Sequence, residues 1–290
     1  MVVDLHIHTN NSDGKLSVTD TIKIAAEHGI NLLSITDHDS LGGVSKALHL
    51  ARSHDITCIS GLELSCRNEN SEVPFPQDIS VHILGYNIDY KDKAILSHLK
   101  KYHSRRKQVL TELIDELSES GFDAKYQDIY VIAGTQMRIQ DVLNHINSSF
   151  MWKKKKDQLT EIANSYYGKL FALDTPLSDA IKLIKDAGGI PVLAHGFFSY
   201  RDYDIIKNTT TDLSALIDYL CELGIEGLEV YYSRFKQQQI DWMLNEAVKR
   251  NLIITAGSDF HGTPLRKNMI NYEIGQLTDT INLLESVNRY

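Results

Sequence analysis

The chain has 290 residues, of which 42% are hydrophobic, and its formal net charge at pH 7 is -8. This length can bury one large core, or a barrel that carries a smaller insertion. The negative charge argues against charge-driven binding to long duplex nucleic acid, which requires a broad basic surface. The sequence has neither a basic leader segment nor a run of about 18 apolar residues, so it predicts a cytoplasmic protein without a membrane span.

Seven short apolar runs, each closed by turn or polar residues, predict β-strands. Most of the runs are continuously apolar, which is typical of parallel strands that are covered on both faces. Helical patterns separate many of them, and this order predicts an α/β fold with a parallel sheet or barrel. The predicted strands lie at 2–8, 30–39, 56–64, 80–86, 190–196, 225–233 and 252–262.

One long segment, 88–177, interrupts the alternation of strands and helices. Its apolar residues between Ile95 and Leu117 follow helical spacing, and further helical patterns come after them. We therefore predict a barrel made of 1–87 and 178–290, with 88–177 as a mainly helical insertion that caps the pocket.

Most predicted strands end in ionisable side chains, whereas His82 lies near the start of its run. The C-terminal ends of barrel strands gather on one face, so these side chains are expected to meet. His6 and His8 are two positions apart on a strand and therefore point to the same face. Mixed imidazole and carboxylate ligands suit zinc, iron or manganese. The strand-end residues are His6, His8, His38, Glu63, His195, Asp259 and His261.

Six motifs, in this order, resemble those of the PHP (polymerase and histidinol phosphatase) family of metal-dependent phosphoesterases. They are "DLHIHTNNSDG", "SITDHD", the Glu of "SGLELS", "HILGY", "LAHG" and "GSDFHG". The resemblance implies an α/β fold, namely a distorted seven-stranded (β/α)7 TIM-like barrel. It also implies two or three divalent ions, which would be Mn2+, Zn2+ or Fe2+.

The resemblance further implies a set of metal ligands. One ion would bind His6, His8, Glu63 and Asp259; a second would bind Glu63, His82 and His195; a third would bind Asp13, His38 and His261. The implied reaction is hydrolysis of a phosphate ester by a metal-bound hydroxide. Asp37 is predicted to orient a neighbouring ligand, and His261 is also a candidate proton donor to the leaving group.

The single barrel with an insertion after "HILGY" is similar to one PHP subgroup. That subgroup removes the 3'-phosphate from nucleoside 3',5'-bisphosphates and trims short RNA from its 5' end. The expected partner is thus a small phosphorylated substrate, such as a nucleotide, or short RNA, and no membrane or protein partner is implied. Arg106 and Arg138 are candidates for binding a further phosphate, and structural ion pairing is the competing interpretation. The subgroup usually has a histidine near Gln140.

Several alternatives remain open from the sequence. The first is a phosphatase for histidinol phosphate or another small molecule. The second is an amidohydrolase-type enzyme, which also begins with His-x-His but commonly bridges its metals with a modified lysine, whereas Glu63 has that role here. The third is a non-catalytic metal-binding scaffold, although this chain keeps all nine predicted ligands. For Glu229 the sequence favours a structural role, and strand-end packing is an equal alternative to base stacking for Tyr231 and Tyr232.

Overall fold

The structure is a computed structural model that describes residues 2–75, 79–133, 137–147, 155–197 and 210–262. The chain divides into two compact units, which are Met1–Leu96 with Thr175–Tyr290, and Ser97–Asp174. The part of the predicted second barrel segment that follows residue 262 lies outside the described residues. The predicted boundaries at 88 and 177, and the capping role of that segment, stay predictions.

The first unit contains a nearly closed mixed sheet. Seven strands follow one another in the order β1-β2-β3-β4-β6-β7-β8, and a two-residue strand, β5, pairs with β3. A parallel bridge between Ile7 and Phe260 brings the end of the path back to β1. The predicted seven-stranded TIM-like barrel is thereby confirmed. The described strands are β1 (Val3–Ile7), β2 (Leu32–Ile35), β3 (Thr57–Arg67), β4 (Ser80–Tyr86), β5 (Thr175–Pro176), β6 (Ile190–Leu193), β7 (Gly227–Tyr232) and β8 (Ile253–Gly257).

Helices separate most of these strands along the chain. Among the described residues, no helix is long and apolar enough to cross a membrane. The helices are α1 (Val18–Glu27), α2 (Val44–Arg52), α3 (Lys93–Glu119), α4 (Tyr126–Ala133), α5 (Ile139–Asn147), α6 (Lys156–Phe171), α7 (Leu177–Asp186), α8 (Thr210–Leu223) and α9 (Gln237–Lys249).

Local sequence explains how α1 begins, packs and ends. The Ser17 hydroxyl accepts a hydrogen bond from the backbone N–H of Asp20, which caps the first turn. Ile22 lies on the buried face of the helix and belongs to an apolar cluster with β1 and β2. Gly29 follows the helix with a φ of 72°, a conformation that costs glycine little. The chain then enters β2 with Leu32 fully buried.

One strand runs against the predicted direction. β4 is antiparallel to both β3 and β6, so the expectation of a uniformly parallel sheet was wrong at this strand. No helix is described between β3 and β4, and antiparallel neighbours need no helical crossover. Their register places Glu63 opposite Leu84 and Ser65 opposite His82. The reversed direction therefore brings the start of β4 to the edge where neighbouring parallel strands end.

The described residues of the second unit form helices around their own apolar core. The unit contains most of α3 together with α4, α5 and α6. Leu113, Leu117, Val142 and Ile146 are fully buried in one cluster, which these helices share. Spacing of three or four residues places each pair on one side of its helix.

Candidate metal centre

Glu63 on β3 is the hub of a cluster of histidines at the barrel rim. Its side chain is fully buried, and ring nitrogens from five histidines lie close to its two carboxylate oxygens. On one side, Glu63 Oε1 lies 3.0 Å from His82 Nδ1 and 3.1 Å from His195 Nε2. On the other, Glu63 Oε2 lies 3.2 Å from His6 Nε2, 3.1 Å from His8 Nε2 and 3.2 Å from His38 Nδ1. The two oxygens of one carboxylate thus divide the histidines into two groups.

Asp259 follows β8 and joins the group that contains His6 and His8. Its Oδ1 lies 3.1 Å from His8 Nε2 and 3.6 Å from His6 Nε2. The backbone supports this position, because the N–H of Asp259 donates to the carbonyl oxygen of His6 at 2.9 Å. The late strand-end motif and the first strand therefore meet at the point where the barrel closes.

Asp13, His38 and His261 form the more exposed side of the cluster. Asp13 Oδ1 lies 3.0 Å from His261 Nε2 and 3.8 Å from His8 Nδ1. The ring of His8 stacks on that of His261, with 4.2 Å between their centroids, and lies 4.5 Å from that of His38. This group therefore shares His8 with the deeper part of the cluster.

The structure brings all nine predicted ligands into one connected cluster. Sets of three or four donor atoms that could hold an ion overlap, since His6, His8, His38 and Glu63 each belong to two of them. The overlap means that the division of ligands among three ions stays a prediction.

The donors fit divalent cations. The Nε2 atoms of His6 and His8 are 3.1 Å apart, and His82 Nδ1 is 3.3 Å from His195 Nε2. Ligands about 2.1 Å from a shared tetrahedral ion would be about 3.4 Å apart, so such an ion explains these close approaches. The buried Nδ1 atoms of His8 and His38 also make no hydrogen bond to any described residue. Nitrogen and carboxylate donors of this kind suit zinc, manganese or iron.

Charge within the cluster is strongly coupled. Burial would raise the pKa of Glu63, but the rings of His38, His6 and His82 outweigh it and hold that pKa well below its ordinary value. Burial lowers the pKa of His38 to about 3. For His8, hydrogen bonds to Asp259 and Glu63 outweigh burial and raise the pKa to about 10. A bound cation would therefore replace a proton on His8.

Two of the predicted ligands have unusual backbone conformations. His195 and Asp259 have φ angles of 50° and 56°, in the left-handed region that most non-glycine residues avoid. Such conformations cost about 1–3 kcal/mol each and persist where the surrounding structure fixes them. Each is the second residue after a strand, β6 or β8, so the turn of the chain at the rim aims its side chain into the cluster.

The hydrogen bonds described for Asp37 come from the loop after β1 and not from a histidine ring. Its buried carboxylate accepts hydrogen bonds from the backbone N–H of Thr9 at 2.6 Å, from the Thr9 hydroxyl at 2.7 Å and from the Ser12 hydroxyl at 2.7 Å. Thr9 and Ser12 belong to the loop that presents Asp13. An orienting role for Asp37 stays a prediction. With these contacts, Asp37 would orient Asp13 by fixing the loop that carries it.

Sequence reasoning missed several contacts around the cluster. Glu229 accepts a hydrogen bond from His6 Nδ1 at 2.9 Å, and Tyr232 donates one to Asp259 Oδ2 at 2.8 Å. Asp4 accepts from the backbone N–H of Ser258 at 2.9 Å and thereby fixes the residue before Asp259. Asp4 could have been noticed, as Glu229 was, because it is an acidic residue inside an apolar strand, but nothing in the sequence identifies the partners of either.

The two candidate substrate-binding arginines lie in the second unit. The guanidinium of Arg106 donates to the carbonyl oxygen of Met137 at 3.4 Å. That of Arg138 makes two hydrogen bonds to the Asp141 carboxylate, each of 3.3 Å. Both arginines therefore have structural contacts within their own unit, and their role in binding a substrate stays a prediction.

A barrel with this cage of histidines and carboxylates at one rim is typical of metal-dependent hydrolases. The chain belongs to the PHP domain family, whose family model matches residues 4–262. A solved structure of a metal-dependent phosphoesterase from Bifidobacterium adolescentis has the same fold. It superposes with a TM-score of 0.73 at 21% identity, over 98% of this chain and 96% of that one.

Three curated relatives cover nearly the whole chain. A 5'-3' exoribonuclease of Haemophilus influenzae is 26% identical over 89% of both chains. A 3',5'-nucleoside bisphosphate phosphatase of Chromobacterium violaceum is 27% identical over 89% of this chain and 87% of its own. A phosphoribosyl 1,2-cyclic phosphate 1,2-diphosphodiesterase of Eggerthella lenta is 24% identical over 90% of this chain and 95% of its own. All three act on phosphate esters.

The space at Gly257 provides a test of the cluster. A Cβ atom at this position would overlap His6 Cβ and the Glu229 carboxylate. We expect Gly257→Ala to cost about 1–3 kcal/mol of folding free energy through overpacking, and to lower bound metal by displacing His6. Thermal unfolding and elemental analysis after dialysis against Mn2+ would measure both. In the control, Gly168→Ala, the new Cβ meets nothing within 4 Å. Unchanged metal content and melting temperature in Gly257→Ala would contradict the tight packing described here.

Proposed function

We propose that this protein hydrolyses phosphate monoesters with two or three divalent ions, and that it removes the 3'-phosphate of nucleoside 3',5'-bisphosphates. Short RNA, attacked from its 5' end, is the related substrate. The observation that carries the proposal is the convergence of five histidines on the buried Glu63 carboxylate. The names of the Chromobacterium and Haemophilus relatives support this choice of substrate.

Divalent ions in such a cage supply the Lewis acidity that activates water and neutralises phosphate charge. The residues proposed to hold them are the nine ligands predicted from the sequence, with Glu63 shared between two ions. The cluster contains three carboxylates, Asp13, Glu63 and Asp259, which on their own would repel a phosphate. Cations held by these residues would also reverse the sign of the charge that the substrate meets.

The exposure of the ligands indicates the side from which a substrate approaches. The side chains of His6, His8 and Glu63 are fully buried, whereas those of His38 and His261 are 20% and 27% exposed. Asp13 is intermediate, with 14% of its side chain exposed. We infer that the phosphate enters beside His38 and His261, and that the deeper residues hold the cage from below.

The geometry of His261 favours ligation over proton donation. Its Nδ1 lies 2.9 Å from the carbonyl oxygen of Asp259, which can only accept, so this nitrogen carries the hydrogen. In the neutral ring, the lone pair is then on Nε2, which faces Asp13 at 3.0 Å. One nitrogen cannot both bind a metal and deliver a proton, so we assign Nε2 of His261 to metal binding.

Other phosphate esters are the principal rivals. The Eggerthella relative is named as a diesterase for a cyclic phosphate, which makes a cyclic phosphodiester a second candidate substrate. Histidinol phosphate and other small phosphomonoesters remain candidates from the sequence. The chemistry of the cage is common to all of them, so a substrate screen of the metal-loaded protein must include each class.

We expect the protein loaded with Mn2+ to release phosphate from nucleoside 3',5'-bisphosphate, and His8→Ala to lower that rate at least 100-fold because a shared ligand is lost. His49→Ala, in which an exposed histidine of α2 is removed, is the matched control and should keep full activity. Phosphate release and circular dichroism measure activity and folding. Activity that survives complete chelation of divalent ions would refute the proposed chemistry. If the protein instead hydrolyses another phosphate ester and not the bisphosphate, only the proposed substrate would be wrong.

The arginines allow a separate test of substrate binding. If Arg106 or Arg138 binds the 5'-phosphate, its replacement by Ala should raise KM for a 3',5'-bisphosphate about 10-fold or more and leave KM for a 3'-monophosphate unchanged. Arg105→Ala, which removes an exposed neighbour on α3, should change neither value. Equal effects on both substrates would assign Arg106 and Arg138 to structure alone, in keeping with their contacts to Met137 and Asp141.

A further inference from the structure

β7 supplies none of the nine predicted metal ligands. Two of its side chains nevertheless make hydrogen bonds to predicted metal ligands from other parts of the chain. Glu229 contacts His6 of β1, and Tyr232 contacts Asp259, which follows β8. Both β7 side chains are almost completely buried, with exposures of 0% and 2%. The strand therefore contributes two polar groups to the immediate surroundings of the cage.

A β-bulge explains how both side chains reach the same cluster. In a regular strand, residues three positions apart point to opposite faces. The register with β8 pairs Glu229 with Thr255 and Tyr231 with Ala256, so Val230 is an extra residue in β7. An extra residue reverses the face to which the side chains after it point. Glu229 and Tyr232 can then both face the cage.

Glu229 selects the nitrogen that His6 presents. Glu229 Oε1 accepts this hydrogen bond, so the 2.9 Å contact places the hydrogen of His6 on Nδ1. The lone pair of His6 is then on Nε2, which lies 3.1 Å from His8 Nε2 and 3.2 Å from Glu63 Oε2. The second oxygen, Glu229 Oε2, is buried and has no hydrogen-bond partner among the described residues. A buried carboxylate with so few hydrogen bonds lowers the stability of the fold. Its presence is explained if its function is to orient His6.

Tyr232 determines which carboxylate oxygen of Asp259 faces the cage. Its hydroxyl donates to Oδ2 at 2.8 Å, while Oδ1 is the oxygen that lies 3.1 Å from His8 Nε2. The ring of Tyr232 is fixed in turn by contacts with His195 and Phe235, at centroid distances of 5.5 Å and 5.1 Å. The hydrogen bond thus leaves Oδ1 as the oxygen directed at the cage.

We propose that β7 is an orienting strand, in which the bulge at Val230 lets Glu229 and Tyr232 fix one ligand each for the same ion. Glu229 holds the tautomer and ring plane of His6, and Tyr232 holds Asp259 to binding through Oδ1. Both are positioning residues. The inference rests on the metal cage of the proposed function, but it is independent of which phosphate ester is hydrolysed.

The test is a Co2+ titration of the whole protein without substrate, followed by calorimetry and by visible absorption, which reports the ligands and geometry of the ion. Glu229→Ala is expected to weaken binding at the site of His6 by 10–100-fold. Glu229→Gln keeps an acceptor for His6 Nδ1 and should restore part of that loss. Tyr232→Phe should shift the absorption bands, because both oxygens of Asp259 can then bind the ion.

Glu246→Gln is the matched control, since it alters a buried glutamate whose partners, Ser214 and Arg250, lie outside the cage. It should lower the melting temperature without changing Co2+ affinity or spectrum. Folded Glu229→Ala with the affinity and spectrum of the wild type would overturn the proposal. If that variant does not fold, wild-type behaviour of both Glu229→Gln and Tyr232→Phe would overturn it equally. Failure of the wild-type protein to bind Co2+ would instead refute the cage itself.

Discussion

The arrangement of the barrel rim depends on one buried charge. The Glu63 carboxylate is fully buried, and an ionised carboxylate in such a place is costly unless charged or polar groups surround it. Five imidazoles from four segments provide that compensation, all within 3.2 Å of its oxygens. The segments must therefore end at one point. The same convergence makes a site for cations, since these nitrogen and oxygen atoms lie close enough together to bind one ion.

The irregular features of the first unit lie around this centre. β4 runs against its neighbours and thereby delivers His82 from the start of a strand. His195 and Asp259, each the second residue after a strand, take left-handed backbone conformations next to β6 and β8. β7 gains an extra residue where it contacts His6 and Asp259. The left-handed conformations cost stability, and the concentration of all these irregular features at one rim indicates that the barrel is adapted to the site.

Sequence patterns predicted the parts of this arrangement that are encoded locally. Apolar runs predicted the seven strands, and polar residues at the strand ends predicted that His6, Glu63 and Asp259 would meet. The direction of β4 could not be read in this way, because an apolar run of seven residues is the same in either direction and pairing is set by distant strands. The contacts of Glu229 were missed for a similar reason, since its partner is 223 positions away.

The central claim is that these side chains form one cage for several ions, and crystals grown with Mn2+ would test it most directly. Anomalous diffraction should show two or three peaks, with Glu63 between two of them and the ring nitrogens of His6 and His8 beside one. Peaks elsewhere on the protein, or none within reach of Glu63 at saturating Mn2+, would contradict the account.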